Sequence, residues 1–161
     1  FHAASRPVSE LSHVDARGEA RMVDVTRKPA LFREAEARGE IRLQPSTLAL
    51  IESNQVAKGN VLATARIAGI QAAKRTGELI PLCHPLPITH CEVDFSIPAS
   101  RDRIAITATT RITAGTGVEM EALTAVTVAA LTLYDMCKAV DKSMVIGDVR
   151  LVRKTKQELH P

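Results

Sequence analysis

Two blocks of this 161-residue chain set ionisable side chains beside apolar runs. One is Leu79-Ile80-Pro81-Leu82-Cys83-His84-Pro85. The other is Thr116-Gly117-Val118-Glu119-Met120-Glu121-Ala122-Leu123, which runs on to Tyr134-Asp135-Met136-Cys137-Lys138. Burying an unpaired ion is expensive, so glutamates, an aspartate, a lysine and a histidine in such company are either paired or used. Together they are the parts of a proton-transfer site.

Each residue also has an ordinary explanation. Asp135 and Lys138 lie three apart, so on a helix they share a face and read either as an acid/base unit or as a surface ion pair. Lys138 near a helix C-terminus is also favoured by the macrodipole. Thr116-x-x-Glu119 is a capping box, which accounts for Glu119 without catalysis. Glu121 has no such explanation, since it sits one turn into a helix that otherwise excludes charge. His84 lies between Cys83 and Pro85. Adjacent Cys and His side chains diverge and make a poor chelate, so no metal site is expected. A proline-flanked loop holds a histidine in one place, for hydrogen bonding, for proton transfer or simply for a backbone contact. Lys58 precedes Gly59 and a helix start at Asn60, where a cation beside helical amides forms an anion site. It reads equally as a plain C-terminal lysine, and the GxxxxGK[ST] phosphate loop is absent. Lys74-Arg75 and Arg111 add positive charge near the same loops.

The elements that must position these groups follow from periodicity. Residues 11–32 show little pattern and are expected to be extended or irregular. Residues 37–43 read as a strand. Ser46 is a candidate N-cap for a helix over 47–57 that Lys58-Gly59 ends. Asn60 caps a second helix over 61–75, with Leu62, Ala65, Ala68, Gly69 and Ala72 giving a smooth face and Gly77 a stop. The three prolines of residues 80–87 exclude a helix interior and a central strand, leaving a rigid loop. Residues 91–97 and 103–112 alternate with period two and form a hairpin. A long helix over 118–140 is apolar almost all round and should be buried on more than one side. Residues 143–154 form a last strand. Taking the early helices as one layer, this is an α+β βαββαβ plait with an antiparallel sheet, helices on one face and one extra helix.

Composition narrows the rest. The chain is 45% hydrophobic and 24% charged, as ordinary globular proteins are. Aromatics are only 2%, with no Trp, so the core must be built of small aliphatic side chains and base-stacking on an exposed sheet is disfavoured. A net charge of +3 is too mild for a duplex-binding surface but leaves room for an anionic small molecule. No nucleic-acid partner is expected. Cys83, Cys91 and Cys137, an odd count without CxxC spacing, suggest neither a disulfide framework nor a zinc site, and a reducing cytoplasm is the simplest setting. No apolar run of about 18 residues lacks charge or proline, so no membrane span is expected. Residues 1–10 are expected to be a flexible tail and residues 11–161 a single catalytic domain.

The blocks together resemble the MoaC family, the cyclic pyranopterin monophosphate synthases of molybdenum cofactor biosynthesis. The resemblance rests on Met22-Val23-Asp24-Val25, Lys58-Gly59, Ala63-Thr64-Ala65-Arg66-Ile67-Ala68-Gly69-Ile70-Gln71-Ala72-Ala73-Lys74-Arg75, and residues 79–85, 116–125 and 129–140. It covers about residues 11–154. It implies a ferredoxin-like α+β subunit in a homohexamer, a trimer of dimers, with active sites at subunit interfaces. It implies conversion of 3′,8-cyclo-7,8-dihydroguanosine 5′-triphosphate, a cyclised GTP derivative, to cyclic pyranopterin monophosphate and pyrophosphate, a lyase reaction. Lys58, Asp135 and Lys138 fall on the family's catalytic positions. Leu82, Cys83, His84, Met120 and Glu121 fall on its substrate-binding segments, and Glu119, Arg111, Lys74 and Lys154 match further pocket positions. Asn60 stands where Asp is more usual after Lys-Gly, and Thr155-Lys156-Gln157 replaces the Gly-Gly pair usual after the lysine at Lys154.

The mechanism implied needs no redox cofactor. Lys138 and Lys58 are expected to form an acid/base pair, with amine pKa values lowered by burial and by each other's charge. Asp135 would position Lys138 and exchange protons with it. His84 and Glu121 would bind the purine-derived portion, and the remaining cations the triphosphate. Lys58 and Lys138 are further expected to meet in one pocket from different subunits. The rival readings are a non-catalytic nucleotide-binding module and a structural oligomeric subunit on the same plait.

Overall fold

Alternation of small apolar and charged residues makes the sheet. A computed structural model describes residues 11–159; the expected tail over residues 1–10 lies outside the described residues. In β1 (Leu31–Arg42), Ala35, Ala37 and Ile41 face the core, and in β3 (Arg103–Ala114) Ile104, Ile106, Ala108 and Ile112 do so. Period-two alternation leaves the opposite face to Glu34, Glu36, Arg38 and Glu40. β2 (His90–Ser96) forms the expected hairpin with β3, and β4 (Val145–Gln157) pairs antiparallel with β1. The strand order is β2-β3-β1-β4, all antiparallel, the arrangement of a ferredoxin-like plait.

The helices are α1 (Pro45–Glu52), α2 (Val61–Lys74), the short α3 (Thr76–Leu79) and α4 (Glu119–Cys137). Ala122, Ala125, Val126, Ala129, Ala130 and Leu133 of α4 are fully buried, packed into the core above the sheet. By length and composition alone α4 could cross a membrane, but this burial is that of a core helix. As expected it is buried on more than one side, against the sheet and against α2, while Leu131 is exposed. α2 lies against it at the distance its small residues permit. A Cβ on Gly69 would come within 2.9 Å of the Ala125 carbonyl oxygen.

Several helix ends differ from the expectation. Asn60 does cap α2, accepting the Ala63 N–H at 3.0 Å. Ser46 does not cap α1. Pro45 occupies the first turn, and Gln44 is the N-cap without a side-chain bond. Its N–H donates at 2.9 Å to Asp141, which also accepts the Thr47 hydroxyl at 2.8 Å. α1 ends at Glu52, where the Ser53 amide and hydroxyl both donate back to Ala49 and Asn54 takes φ 57, so residues 53–57 are not helical. Gly59 is left-handed, at φ 103, but in a loop rather than at a helix end. Gly77 does not stop a helix either. It lies inside α3, and a Cβ there would meet Pro85 Cα at 2.9 Å, so its bareness seats the proline loop against the body. The Thr116/Glu119 capping box does not form. Val118 is the N-cap of α4 and Glu119 its first residue, too early in the turn to reach back.

Candidate active site

Most of the candidate residues gather at the two ends of α4. At its C-terminal end, Asp135 sits in the last turn and Lys138 caps the helix. The Lys138 ammonium donates to Asp135 Oδ1 at 2.8 Å. Lys58, from the loop before α2, reaches Asp135 Oδ2 at 3.0 Å and the Asp135 carbonyl at 3.1 Å. All three side chains are about half exposed. The Lys138 and Lys58 hydrogen bonds hold the Asp135 carboxyl below its usual range, and Asp135 in turn raises Lys138. Two expectations are thereby corrected. The Lys138 amine pKa is raised rather than lowered, because a carboxylate stands between the two lysines and neither is buried. The two lysines also belong to one chain's cluster rather than to different subunits.

The other end of α4 borders a cavity of about 240 Å³. The loop of residues 79–85 supplies Leu82, Cys83 and His84, and α4 supplies Glu119, Met120 and Glu121. Glu121 is only 3% exposed. Its Oε2 and that of Glu119 are buried without a hydrogen-bond partner among the described residues. Burial, and after it the charge of Glu119, push Glu121 up to about 7 against the pull of its own backbone amide. The Cys83 thiol is likewise raised, first by burial and then by Glu121 and Glu119. His84 Nε2 bonds the Val23 carbonyl at 2.6 Å. A carbonyl only accepts, so this nitrogen carries the hydrogen.

A second, smaller cavity of about 160 Å³ abuts the first, sharing Gly117 and Glu119. Arg33, Lys154 and Lys156 line it. Lys154 Nζ stands 3.8 Å from Glu119 Oε1. Arg111 does not enter either cavity. It pairs with Glu34, which also binds Arg153, and these two cations hold the Glu34 carboxyl low. Lys74 is exposed at the last turn of α2 and joins neither cluster; its charge acts on Cys91, whose thiol burial pushes up to about 11.

Sequence reasoning overlooked Ser12, His13, Val23, Val25 and Lys28, which close the first cavity, and Arg33 and Lys156, which line the second. Ser12, His13 and Lys28 come from an irregular segment with little periodicity, so spacing offered no signal for them, while Val23 and Val25 counted only as part of the stretch that carries the resemblance. Arg33 and Lys156 face each other across the β1–β4 ladder, a long-range pairing.

A ferredoxin-like plait that keeps two buried carboxylate oxygens unpartnered beside a cationic hollow has the build of an enzyme for a small polar molecule. Comparison with known proteins makes this specific. A family model described as the MoaC family matches residues 22–157, and the chain belongs to that family. Relatives named cyclic pyranopterin monophosphate synthase include one from Pelotomaculum thermopropionicum, 60% identical over 92% of this chain and 87% of the relative. One from Roseiflexus sp. (strain RS-1) is 58% identical over 92% of this chain and 94% of its own length. A third, from Parvibaculum lavamentivorans, is 56% identical over 91% of each chain.

Proposed function

We propose that this chain is a cyclic pyranopterin monophosphate synthase, a lyase that converts cyclised GTP to cyclic pyranopterin monophosphate with release of pyrophosphate. The observation that carries the reading is the abutting pair of cavities. One offers unpartnered acceptors, Glu119 and Glu121, and the other offers cations, Lys154, Lys156 and Arg33. A ligand that fits both has N–H donors at one end and phosphate at the other, as a guanosine triphosphate derivative does. The first cavity lies below the roughly 300–1,000 Å³ of a complete small-molecule site, so it suits the ring portion alone.

In this reading Leu82, Cys83, His84, Met120 and Glu121 hold the purine-derived ring, with Glu119 at the junction. Lys154 and its neighbours neutralise the phosphates, and their charge stabilises departing pyrophosphate. Arg111 and Lys74 serve more distantly, Arg111 through Glu34. Lys138, kept charged by Asp135, donates a proton; Asp135 positions it and exchanges protons with it; Lys58 completes the acid/base set.

Glu119 and Asp135 are sixteen helical steps apart, a rise of about 24 Å, too far for one ligand to touch both ends within a chain. The acid/base cluster of one chain therefore meets the ring cavity of a two-fold partner. Exposed Ile67, Leu131 and Leu151 offer apolar area for assembly as a homohexamer, a trimer of dimers.

The test is release of pyrophosphate from the cyclised triphosphate. Chains carrying Lys138→Ala and Glu121→Gln, each inactive alone, are then mixed. Random pairing makes about half the dimers mixed, each with one intact site, so roughly a quarter of sites recover. No release by the wild type refutes the function. No recovery despite verified exchange of subunits refutes the shared site.

A further inference from the structure

One wall of the ring cavity comes from a segment that has no regular secondary structure. Residues 11–30 contribute Ser12, His13 and Lys28 to the lining of that cavity, which Glu119 and Glu121 also share. His13 is fixed by the segment's own fold. Its carbonyl accepts the Arg21 N–H at 2.9 Å beside a β-bridge between Val14 and Ala20. Asp15 secures the turn between them by accepting the amides of Arg17 and Glu19. His13 also lines the apolar hollow formed with Pro81, Leu82 and Met120 that adjoins the cavity.

The segment meets the body through one long-range hydrogen bond and one close backbone approach. His84 Nε2 donates to the Val23 carbonyl at 2.6 Å, across 61 residues of sequence. Gly115 makes room for the close approach, since a Cβ there would lie 3.3 Å from the Lys28 carbonyl oxygen. Most side chains of residues 11–30 are exposed, so little apolar burial holds the segment down. A stretch with few buried contacts and a long-range hydrogen bond opens locally at low cost.

We infer that residues 11–30 form a strap closing the ring cavity, that His13 is a ligand-contacting residue carried on it, and that His84 is its latch through Val23. The inference deepens the proposed function, on which its ligand rests. His84 then acts as a positioning residue as well as a lining one. The imidazole facing the ligand from the strap is that of His13, with Ser12 beside it. Two acidic residues and an imidazole in one lining suit a planar, donor-rich ring.

The experiment combines steady-state kinetics on the cyclised triphosphate with hydrogen–deuterium exchange on the full chain. His13→Ala should raise KM by about tenfold, the value of one hydrogen bond, with strap protection unchanged. His84→Ala should speed exchange over residues 11–30 by about tenfold or more while the sheet stays protected. His84→Gln, whose amide N–H can still donate to Val23, should restore that protection. Gly115→Val, which pushes on Lys28 from the other side, should also free the strap and serves if His84→Ala misfolds. An unchanged KM in His13→Ala overturns the ligand contact. Unchanged strap exchange in both His84→Ala and Gly115→Val overturns the latch. If the wild type itself releases no pyrophosphate, the function reading fails. The exchange arm still decides the latch, and isothermal titration with GTP, against the wild type, decides the His13 contact.

Discussion

Glu121→Gln isolates what it costs to keep a carboxyl group in the floor of the cavity. Burial and then the charge of Glu119 place Glu121 at about 7, against an ordinary 4.5. Between those two values the folded chain holds a proton that the unfolded chain has released. Folding then takes up a proton, so stability falls as pH rises from 4.5 and levels off above about 7, where both states are ionised. At 1.36 kcal/mol per pH unit the shift corresponds to about 3 kcal/mol, and solvent at the cavity mouth brings the working figure nearer 2. Glutamine has the shape of the protonated acid and cannot ionise. Wild type and variant should therefore have similar stability at about pH 5, within about 1 kcal/mol, and the variant should be the more stable by about 2 kcal/mol at about pH 8. Urea unfolding followed by circular dichroism reads this as a midpoint difference growing to about 1 M. One protein concentration must be used throughout, because assembly shifts apparent stability. A midpoint difference that is the same across the pH range would refute the reasoning. The variant should at the same time lose pyrophosphate release, since the amide nitrogen that replaces one carboxyl oxygen cannot accept from the N–H groups of the ring.

Lys138→Ala should lower turnover by roughly 10²- to 10⁴-fold with an unchanged circular dichroism spectrum, and wild-type pyrophosphate release would remove Lys138 from the mechanism. Asp135→Asn withdraws the carboxylate that raises Lys138, so the alkaline limb of the kcat profile should move to lower pH with KM nearly unchanged; a large KM rise at constant kcat would make Asp135 a binding residue instead. Asp141 is held at about 2 because bonds from Gln44, Ser143 and Thr47 outweigh its burial. Its contribution is present above the ordinary 3.8 and lost as pH falls through about 2, so Asp141→Ala should destabilise the chain by about 3 kcal/mol at neutral pH and by less in acid, measured by urea unfolding. Gly69→Ala gains helix propensity of up to about 1 kcal/mol but drives a Cβ to 2.9 Å from a backbone oxygen of α4, and thermal unfolding should show a net loss of about 1–2 kcal/mol.

Much of the scaffold was legible in the residues alone. Alternation marked β2 and β3, because a half-buried strand must alternate. Asn60 announced the start of α2, and three prolines announced the loop that carries His84. The apolar run of α4 marked the core helix, and the two blocks with the lysines marked the family. These signals are local: they depend on what a segment of ten residues can do by itself.

What the sequence misjudged depends on what lies opposite. The start of α1 is served by Asp141, 97 residues from Gln44, where local chemistry had nominated Ser46. Glu119 lost its capping role because packing begins α4 two residues late for the box. The pattern singled out Glu121, but only the tertiary structure buries it, leaves one oxygen unpartnered and thereby sets its proton affinity. Asp135 draws Lys58 across 77 residues and reverses the expected direction of the Lys138 shift. Spacing fixes which side chains share a face. Desolvation and the identity of a distant partner fix their charge, and both are properties of the folded chain.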